Sequence, residues 1–462
     1  MRSTRVLRQA LSVEELNKIR VANLHPSIRK GTHFKEPLVV KNAYMQYIYD
    51  TSGKRYLDLL GGIVTVSVGH CHPKVNDALF QQAKNLWHSA NIHLNSPVHE
   101  YAAKLAATLP GDLKVVYPVN SGSEANDLAV LMARVVTGNF DIISLRNGYH
   151  GMSPITMGLT GHSTWKQTAP HYFGFHHTML PDCYNGLWAG CRDSPVQPDR
   201  KCEGSNCTST HCTSADKYVQ QLQEIFMYTL PQKKVAGFFI ESIQGVGGVV
   251  QYPKGYVKKA FELVRQNGGV CVSDEVQTGF GRTGDSFWHF QDHGVIPDIV
   301  TMAKGIANGF PMAAVVTTPK IAECLTGAAH FNTFGGNPMG CAVASAVLDV
   351  IQEEKLQEHC KTLGTYMIHE LNKIREEVPI VGDVRGKGLM IGIEMVKSKE
   401  TREALPADKM AEIFEDLKNG GLIVGRGGFF GNTFRLSPPM CIQKQDVDSA
   451  LETIRQVFKK YA

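Results

Sequence analysis

Apolar positions along this chain follow two rhythms, and the change between them predicts the architecture. From about residue 115, short β-branched runs occur at 115–119, 141–145 (DIISL), 235–240 (VAGFFI), 270–273 (VCVS), 298–302 (DIVTM) and 313–317. They show little polar alternation, as expected of strands covered on both faces in a parallel sheet. Helix-period segments separate them, such as 256–266 (YVKKAFELVRQ), which closes at Gly268-Gly269. The pattern predicts an α/β fold with a mainly parallel sheet sandwiched by helices. Beyond about residue 350 the texture shifts. Amphipathic stretches at 350–377, 407–419 and 445–460 flank short strands near 389–395 and 433–436, which predicts a smaller α+β domain. The hairpin-like YDTSGKRYLD within 38–60 is expected to pack against it. The predicted division is therefore an N-terminal segment 1–64 joined to the small domain, a large domain 65–345 and a small C-terminal domain 346–462.

Size supports more than one core, since 462 residues exceed what a single compact core usually holds. Composition narrows the function classes. No apolar run approaches the roughly 18 residues of a membrane span. A net charge of +5 is mild at this length, and no basic block marks a nucleic-acid partner. Arg2, Arg5 and Arg8 precede the first acid, Glu14, which is the composition of a short mitochondrial transit peptide or of a basic, irregular N-terminus. Among eleven cysteines, five (Cys183, Cys191, Cys202, Cys207 and Cys212) crowd one segment beside His211. No C-x2-C pair occurs there, and the Ser, Thr and Asn between them read as a surface loop rather than a metal site.

Three groups carry candidate chemistry. Asn120-Ser121-Gly122-Ser123-Glu124 follows the run KVVYPV and opens a helix with apolar Leu128, Leu131, Met132 and Val135 at helical spacing. Ser121 and Glu124 have capping-box spacing. Small residues before a helix start leave N–H groups for an anion, so this is a competent phosphate cradle, though an ordinary capped helix would look the same. Asp274 ends the run VCVS, where α/β proteins bind ligands; a buried carboxylate there requires a cation, and a protonated pyridine nitrogen is one. Lys304 stands just past DIVTM among small residues, a setting that favours a neutral, nucleophilic amine. Each alone has a bland explanation. Together they match the phosphate, ring nitrogen and aldehyde of pyridoxal 5′-phosphate. Gly279, Gly281 and Gly284 imitate a dinucleotide-binding G-x-G-x-x-G, but no helix signal follows them.

The chain resembles the class III (ω-type) aminotransferases of pyridoxal-phosphate fold type I over nearly its whole length. The resemblance rests on GHCHPKV at 69–75, NSGSEAN at 120–126, YHG at 149–151, SDEVQTGFGRTG at 273–284, MAKGIANGFP at 302–311 and FNTFGGNPMG at 331–340. It implies that Lys304 takes the cofactor covalently and then shuttles a proton between the substrate α-carbon and the cofactor. It implies further that Asp274 holds the pyridinium, Gln277 reaches the ring's phenolic oxygen, and Gly122 and Ser123, with Ser121, bind the phosphate. Tyr149 would stack on the ring, with Glu241 beside it. Thr333 would reach the cofactor of a neighbouring subunit, which implies a homodimer or dimer of dimers. Arg435, in TFRLSPP, would clamp a substrate carboxylate, and no metal is implied.

Two departures bear on specificity. Relatives that take ω-amines usually carry an acid after E-x-I-Q-G, and here Glu241-Ser-Ile-Gln244-Gly245 is followed by Val246. Some relatives have tyrosine where this chain has Ile63, so contacts there do not transfer. The implied activity is a ping-pong transamination in mitochondria from alanine, or a short β-amino acid such as 3-aminoisobutyrate, to glyoxylate or pyruvate. The alternatives are a pyridoxal-phosphate phospho-lyase on an amino alcohol phosphate, which needs a second phosphate site, and a non-catalytic binding protein, which would have lost Lys304 or Asp274.

Overall fold

A computed structural model describes residues 11–29, 34–90, 92–171, 173–202 and 206–462. Arg2, Arg5 and Arg8, on which the transit-peptide reading rests, lie outside the described residues. Among the described residues, no helix is long and apolar enough to cross a membrane.

The centre is a seven-stranded sheet in the order Val115–Val119, Ala313–Thr317, Ile299–Met302, Val270–Asp274, Gly237–Glu241, Ile142–Leu145, Phe175–Thr178. All six runs read as strands are strands. Ala313–Thr317 is antiparallel to both neighbours, and the remaining pairs are parallel. The seventh strand, FHHT, went unread because two histidines in four residues erase the apolar signal, which an edge strand does not require. Four strands are buried at every position and Val270–Asp274 at all but its first, consistent with helices on both faces.

Parallel pairing decides where chemistry can happen, because it brings the carboxyl ends of successive strands to one edge. Glu241 pairs with Asp274, which pairs with Thr301, so two strand-end acids stand side by side. Lys304 lies two residues beyond the next strand, and Asn120 directly follows Val119.

The helix Gly122–Thr137 forms as read, with two corrections. Leu128 and Met132 are buried, but Leu131 and Val135 face outward, and Ala125, Ala129 and Ala133 line the packed face instead. The capping exchange is also offset. Ser121 Oγ accepts from Glu124 N (3.2 Å), while Glu124 Oε2 accepts from Asn120 N (2.6 Å), one residue before the cap. The stretch at 350–377 is two helices, Pro338–Glu353 and Leu356–Glu377, broken where Lys355 takes a left-handed φ of 52°.

Two four-stranded sheets complete the fold. Val40–Tyr44, Tyr47–Asp50 and Arg55–Asp58 form an antiparallel meander, and Leu422–Ile423 joins it in parallel with Arg55–Asp58. The other sheet is antiparallel, in the order Val381–Lys387, Met390–Met395, Thr433–Leu436, Gly425–Gly427. The helices Ala407–Asn419 and Lys444–Lys460 accompany these sheets.

Candidate active site

A cavity of about 270 Å³ opens at the carboxyl edge of the large sheet. Ser121, Gly122, Ser123, Tyr149, Glu241, Asp274, Gln277 and Lys304, eight of the ten residues singled out from sequence, line it.

The helix start forms one wall. The first N–H groups of a helix have no partner within it, and Ser121 Oγ takes only that of Glu124. Those of Gly122 and Ser123 remain for an anion, with the helix dipole in support. Gly122 is packed closely: a Cβ there would stand 3.3 Å from Val276. Ser123 Oγ accepts from Met152 N at 3.1 Å, which ties the cradle to the turn after Tyr149.

Asp274 forms the floor. Side chains alternate along a strand, so the adjacent acids Asp274 and Glu275 part company. Glu275 is fully buried and accepts from Ser242, Thr278 and the N–H groups of His289 and Phe290, a purely structural set. Asp274 faces the cavity. Its Oδ2 accepts from Asn126 Nδ2 and bonds His150 Nδ1, both at 2.8 Å, and its Oδ1 accepts from Val276 N at 3.1 Å. A carboxylate offers about four acceptor positions. Three are taken, which leaves one on Oδ1 for a donor in the cavity. Burial opposes a charged imidazole at His150, but the Asp274 hydrogen bond and charge, with help from Glu241, raise its pKa above the ordinary value.

Lys304 is half-buried, with a left-handed φ of 50°. A non-glycine residue held there stores strain, a recurrent property of functional positions. Burial pushes its amine pKa down to about 8; Asp274 and Glu241 oppose the shift and Arg435 adds to it. Tyr149 presents its ring to the cavity, braced by Trp165 at 5.2 Å between centroids. Glu241 fixes that segment by accepting from Tyr149 N and Gly245 N, both at 2.9 Å. Gln277 Oε1 accepts from Arg435 Nη2 at 2.6 Å, so Arg435 reaches the cavity through Gln277 without lining it. Thr333 is exposed and does not line the cavity of its own chain.

The family model for class III aminotransferases matches residues 29–458. The chain belongs to the class III aminotransferases. It is similar to human mitochondrial alanine–glyoxylate aminotransferase 2, with 54% identity over 98% of this chain and 88% of that protein. Its structure resembles an amine transaminase from an uncultivated Pseudomonas species in its pyridoxal-phosphate-bound form (TM-score 0.82, 28% identity, 92% of this chain and 96% of that one). It also resembles an Arthrobacter phospholyase in complex with phosphoethanolamine (TM-score 0.82, 31% identity, 96% and 99%).

Class III aminotransferases depend on pyridoxal 5′-phosphate, and the residues present here fit it: N–H groups for the phosphate, the unused Oδ1 position for the ring nitrogen, and a depressed amine for the aldehyde. The glycine triplet that imitates a dinucleotide motif is used in packing. Gly284 abuts the backbone of Lys361 in Leu356–Glu377, and its strand is followed by turns, with no helix start.

Two members of this aminotransferase site escaped sequence reasoning as participants, Asn126 and His150. Both lie inside recognised motifs, NSGSEAN and YHG, but only the fold shows that they meet at one carboxylate oxygen. The cysteine-rich loop is the other difference. Four of its five thiols converge: the Sγ atoms of Cys191, Cys202, Cys207 and Cys212 all lie within 4.8 Å of one another.

Proposed function

We propose that this aminotransferase moves the amino group of alanine, or of a short β-amino acid such as 3-aminoisobutyrate, to glyoxylate or pyruvate by a ping-pong route. The observation that carries the proposal is Arg435. It is 4% exposed, its Nε has no partner, and its guanidinium donates to an amide oxygen, that of Gln277. A buried cation without a counter-anion is costly, and a substrate carboxylate supplies one in the bidentate geometry guanidinium favours. Space is kept for it. A Cβ at Gly427 would stand 2.6 Å from Arg435 Cδ and 2.8 Å from Val246 O, so the side chain and the Val246 turn approach across a glycine. With valine where ω-amine-accepting relatives carry an acid, Arg435 has no competing carboxylate at that position.

Pyridoxal 5′-phosphate, when bound, supplies the carbonyl that takes the amino group and the electron-poor ring that drains charge from the substrate α-carbon. The protein's own groups do the rest. The Gly122 and Ser123 N–H groups, with the helix dipole, bind the phosphate. Asp274, oriented by Asn126 and His150, holds a proton on the ring nitrogen. Tyr149, braced by Glu241 and Trp165, covers one ring face. Lys304 Nζ, with its pKa near 8, takes the α-proton and returns it on the cofactor side, because burial keeps a substantial neutral fraction at physiological pH.

The site is completed in a homodimer or a dimer of dimers. Thr333 is flanked by exposed Phe331 and Phe334, and Phe334 lines an apolar recess with Phe80, Trp87 and Phe310 beside Asn120. Such a surface at the edge of a cofactor site suits a second subunit. The human relative is named mitochondrial, and the arginines at 2, 5 and 8 agree with the same compartment for this chain.

A matrix of amino donors and oxo-acid acceptors, assayed with purified holoenzyme, tests the proposal. Turnover of alanine should require an oxo acid and give pyruvate in equal amount. Acceptor-independent release of ammonia and phosphate from phosphoethanolamine would assign the protein to the lyases instead.

A further inference from the structure

The segment between Thr178 and Thr213 runs about 34 residues without a helix or strand among its described residues. Loops beyond about 12–15 residues are uncommon in compact domains unless they are functional or held by something specific. This one is heavily used. Arg192, 1% exposed, makes a bidentate ion pair with Asp383 (2.7 and 2.9 Å) and donates to Val384 O. Asn185 reaches Glu394, Ser194 donates to Gly386 O, and Asp199 pairs with Arg375. The loop thus ties the edge of the large sheet to the strand Val381–Lys387 of the C-terminal sheet. Its own conformation must be maintained for Arg192 to arrive there.

We propose that Cys191, Cys202, Cys207 and Cys212 hold one structural zinc ion that staples this loop. Tetrahedral zinc with Zn–S bonds of about 2.3 Å requires sulfur–sulfur separations of about 3.8 Å. Cys202–Cys207, Cys202–Cys212 and Cys207–Cys212 are 3.3, 3.4 and 3.7 Å apart, and all four sulfurs fall within 4.8 Å. Those separations far exceed a disulfide bond of about 2.05 Å. Four thiols and no water position describe a closed, structural site, and thiolates select a thiophilic ion. The surroundings are those of metal-bound thiolates. Cys191 N donates to Cys212 Sγ at 3.2 Å, and the Ser214 hydroxyl lies 3.2 Å from the same sulfur. The Thr213 hydroxyl lies 3.6 and 3.7 Å from Cys202 and Cys207. Cys212 also stands at the N-terminus of the helix Thr213–Tyr228, whose positive dipole end favours an anionic sulfur. Binding releases the thiol protons to solvent and leaves all four sulfurs reduced.

Metal analysis of purified holoenzyme should find one zinc per chain. A mercurial that titrates thiols should release it, with four sulfurs reacting together. Cobalt(II) exchanged into the site should give the visible bands of a tetrahedral tetrathiolate, to the red of the cofactor's absorbance. Cys202→Ser with Cys207→Ser should lose the metal, keep its pyridoxal phosphate and inactivate on heating roughly tenfold faster than the parent. Cys324→Ser, at an exposed cysteine outside the cluster, should keep the metal. If the double variant does not fold, zinc content and the cobalt spectrum of the parent decide alone. The proposal is overturned if the parent stays metal-free after zinc incubation and dialysis, or if non-reducing mass spectrometry shows a disulfide among the four.

Discussion

Replacing Arg435 with alanine separates substrate recognition from every other property of the site. The guanidinium is buried, gives one hydrogen bond to Gln277 and has an unpartnered Nε. Burial pushes its pKa down to about 10, so it stays charged at neutral pH. Two charge-assisted hydrogen bonds to a carboxylate are worth about 1.5–3 kcal/mol each. Removing one partner of such a buried pair typically costs about 2–5 kcal/mol. At about 1.4 kcal/mol per tenfold, kcat/KM for alanine should fall by roughly two to three orders of magnitude. Isopropylamine, in which methyl replaces the carboxylate, has nothing for Arg435 to hold, and its kcat/KM should change less than about fivefold. Gln277 loses its donor in the variant, a cost of about 1–3 kcal/mol that belongs to stability and not to selectivity. The ratio of the two specificity constants, measured in parent and variant, isolates the carboxylate term. Equal losses for both amines would show that Arg435 only supports Gln277, and the substrate reading would fall.

Three further outcomes are expected. Uptake of pyridoxal phosphate by apoenzyme, followed by visible absorbance, should rise about tenfold per pH unit and level off near pH 8, because Lys304 reacts as the neutral amine and its pKa is lowered to about 8; a rise continuing past pH 10 would mean an unperturbed lysine. Asp274→Asn should retain the cofactor yet slow α-proton exchange by roughly 10–10³-fold, since an opposite charge at that distance shifts a pKa by about 1–3 units; normal exchange of deuterated alanine would argue against the ring-nitrogen role. Asp383→Asn should destabilise the fold by about 3–5 kcal/mol in denaturant titration, because Arg192 would be left as a buried charge without its carboxylate, while Arg385 keeps Glu394. Asp383 lies well below the usual carboxylate range, held there by Arg192 and Arg385 against the cost of burial. Its stabilisation is therefore complete above the unfolded carboxylate pKa of about 3.9 and is lost only as pH falls below it, a loss the asparagine variant should lack.

Local signals sufficed wherever one face or one strand end decides the outcome. Runs such as VCVS and DIVTM carry their burial in their composition, so six of seven sheet strands, the phosphate-binding turn, Asp274 and Lys304 could be read from the chain alone. Phe175–Thr178 could not, because an edge strand is stabilised by its neighbour's hydrogen bonds more than by its own apolar side chains. Leu131 and Val135 have helical spacing but face outward, since period alone does not say which of two apolar stripes meets the sheet.

What only the tertiary structure decided are contacts between residues far apart in the chain. Asn126, His150 and Asp274 meet at one oxygen across 148 and 124 positions. Gln277 meets Arg435 across 158 positions, and Arg192 meets Asp383 across 191. Spacing rules capture ligands that one turn or helix presents together; Cys191, Cys202, Cys207 and Cys212 are instead gathered by an irregular loop whose path is set by its anchors on another sheet. Composition specifies which elements form, because burial is a local property of a run. Which side chains face one another depends on strand order and register, and those follow from packing the whole chain at once.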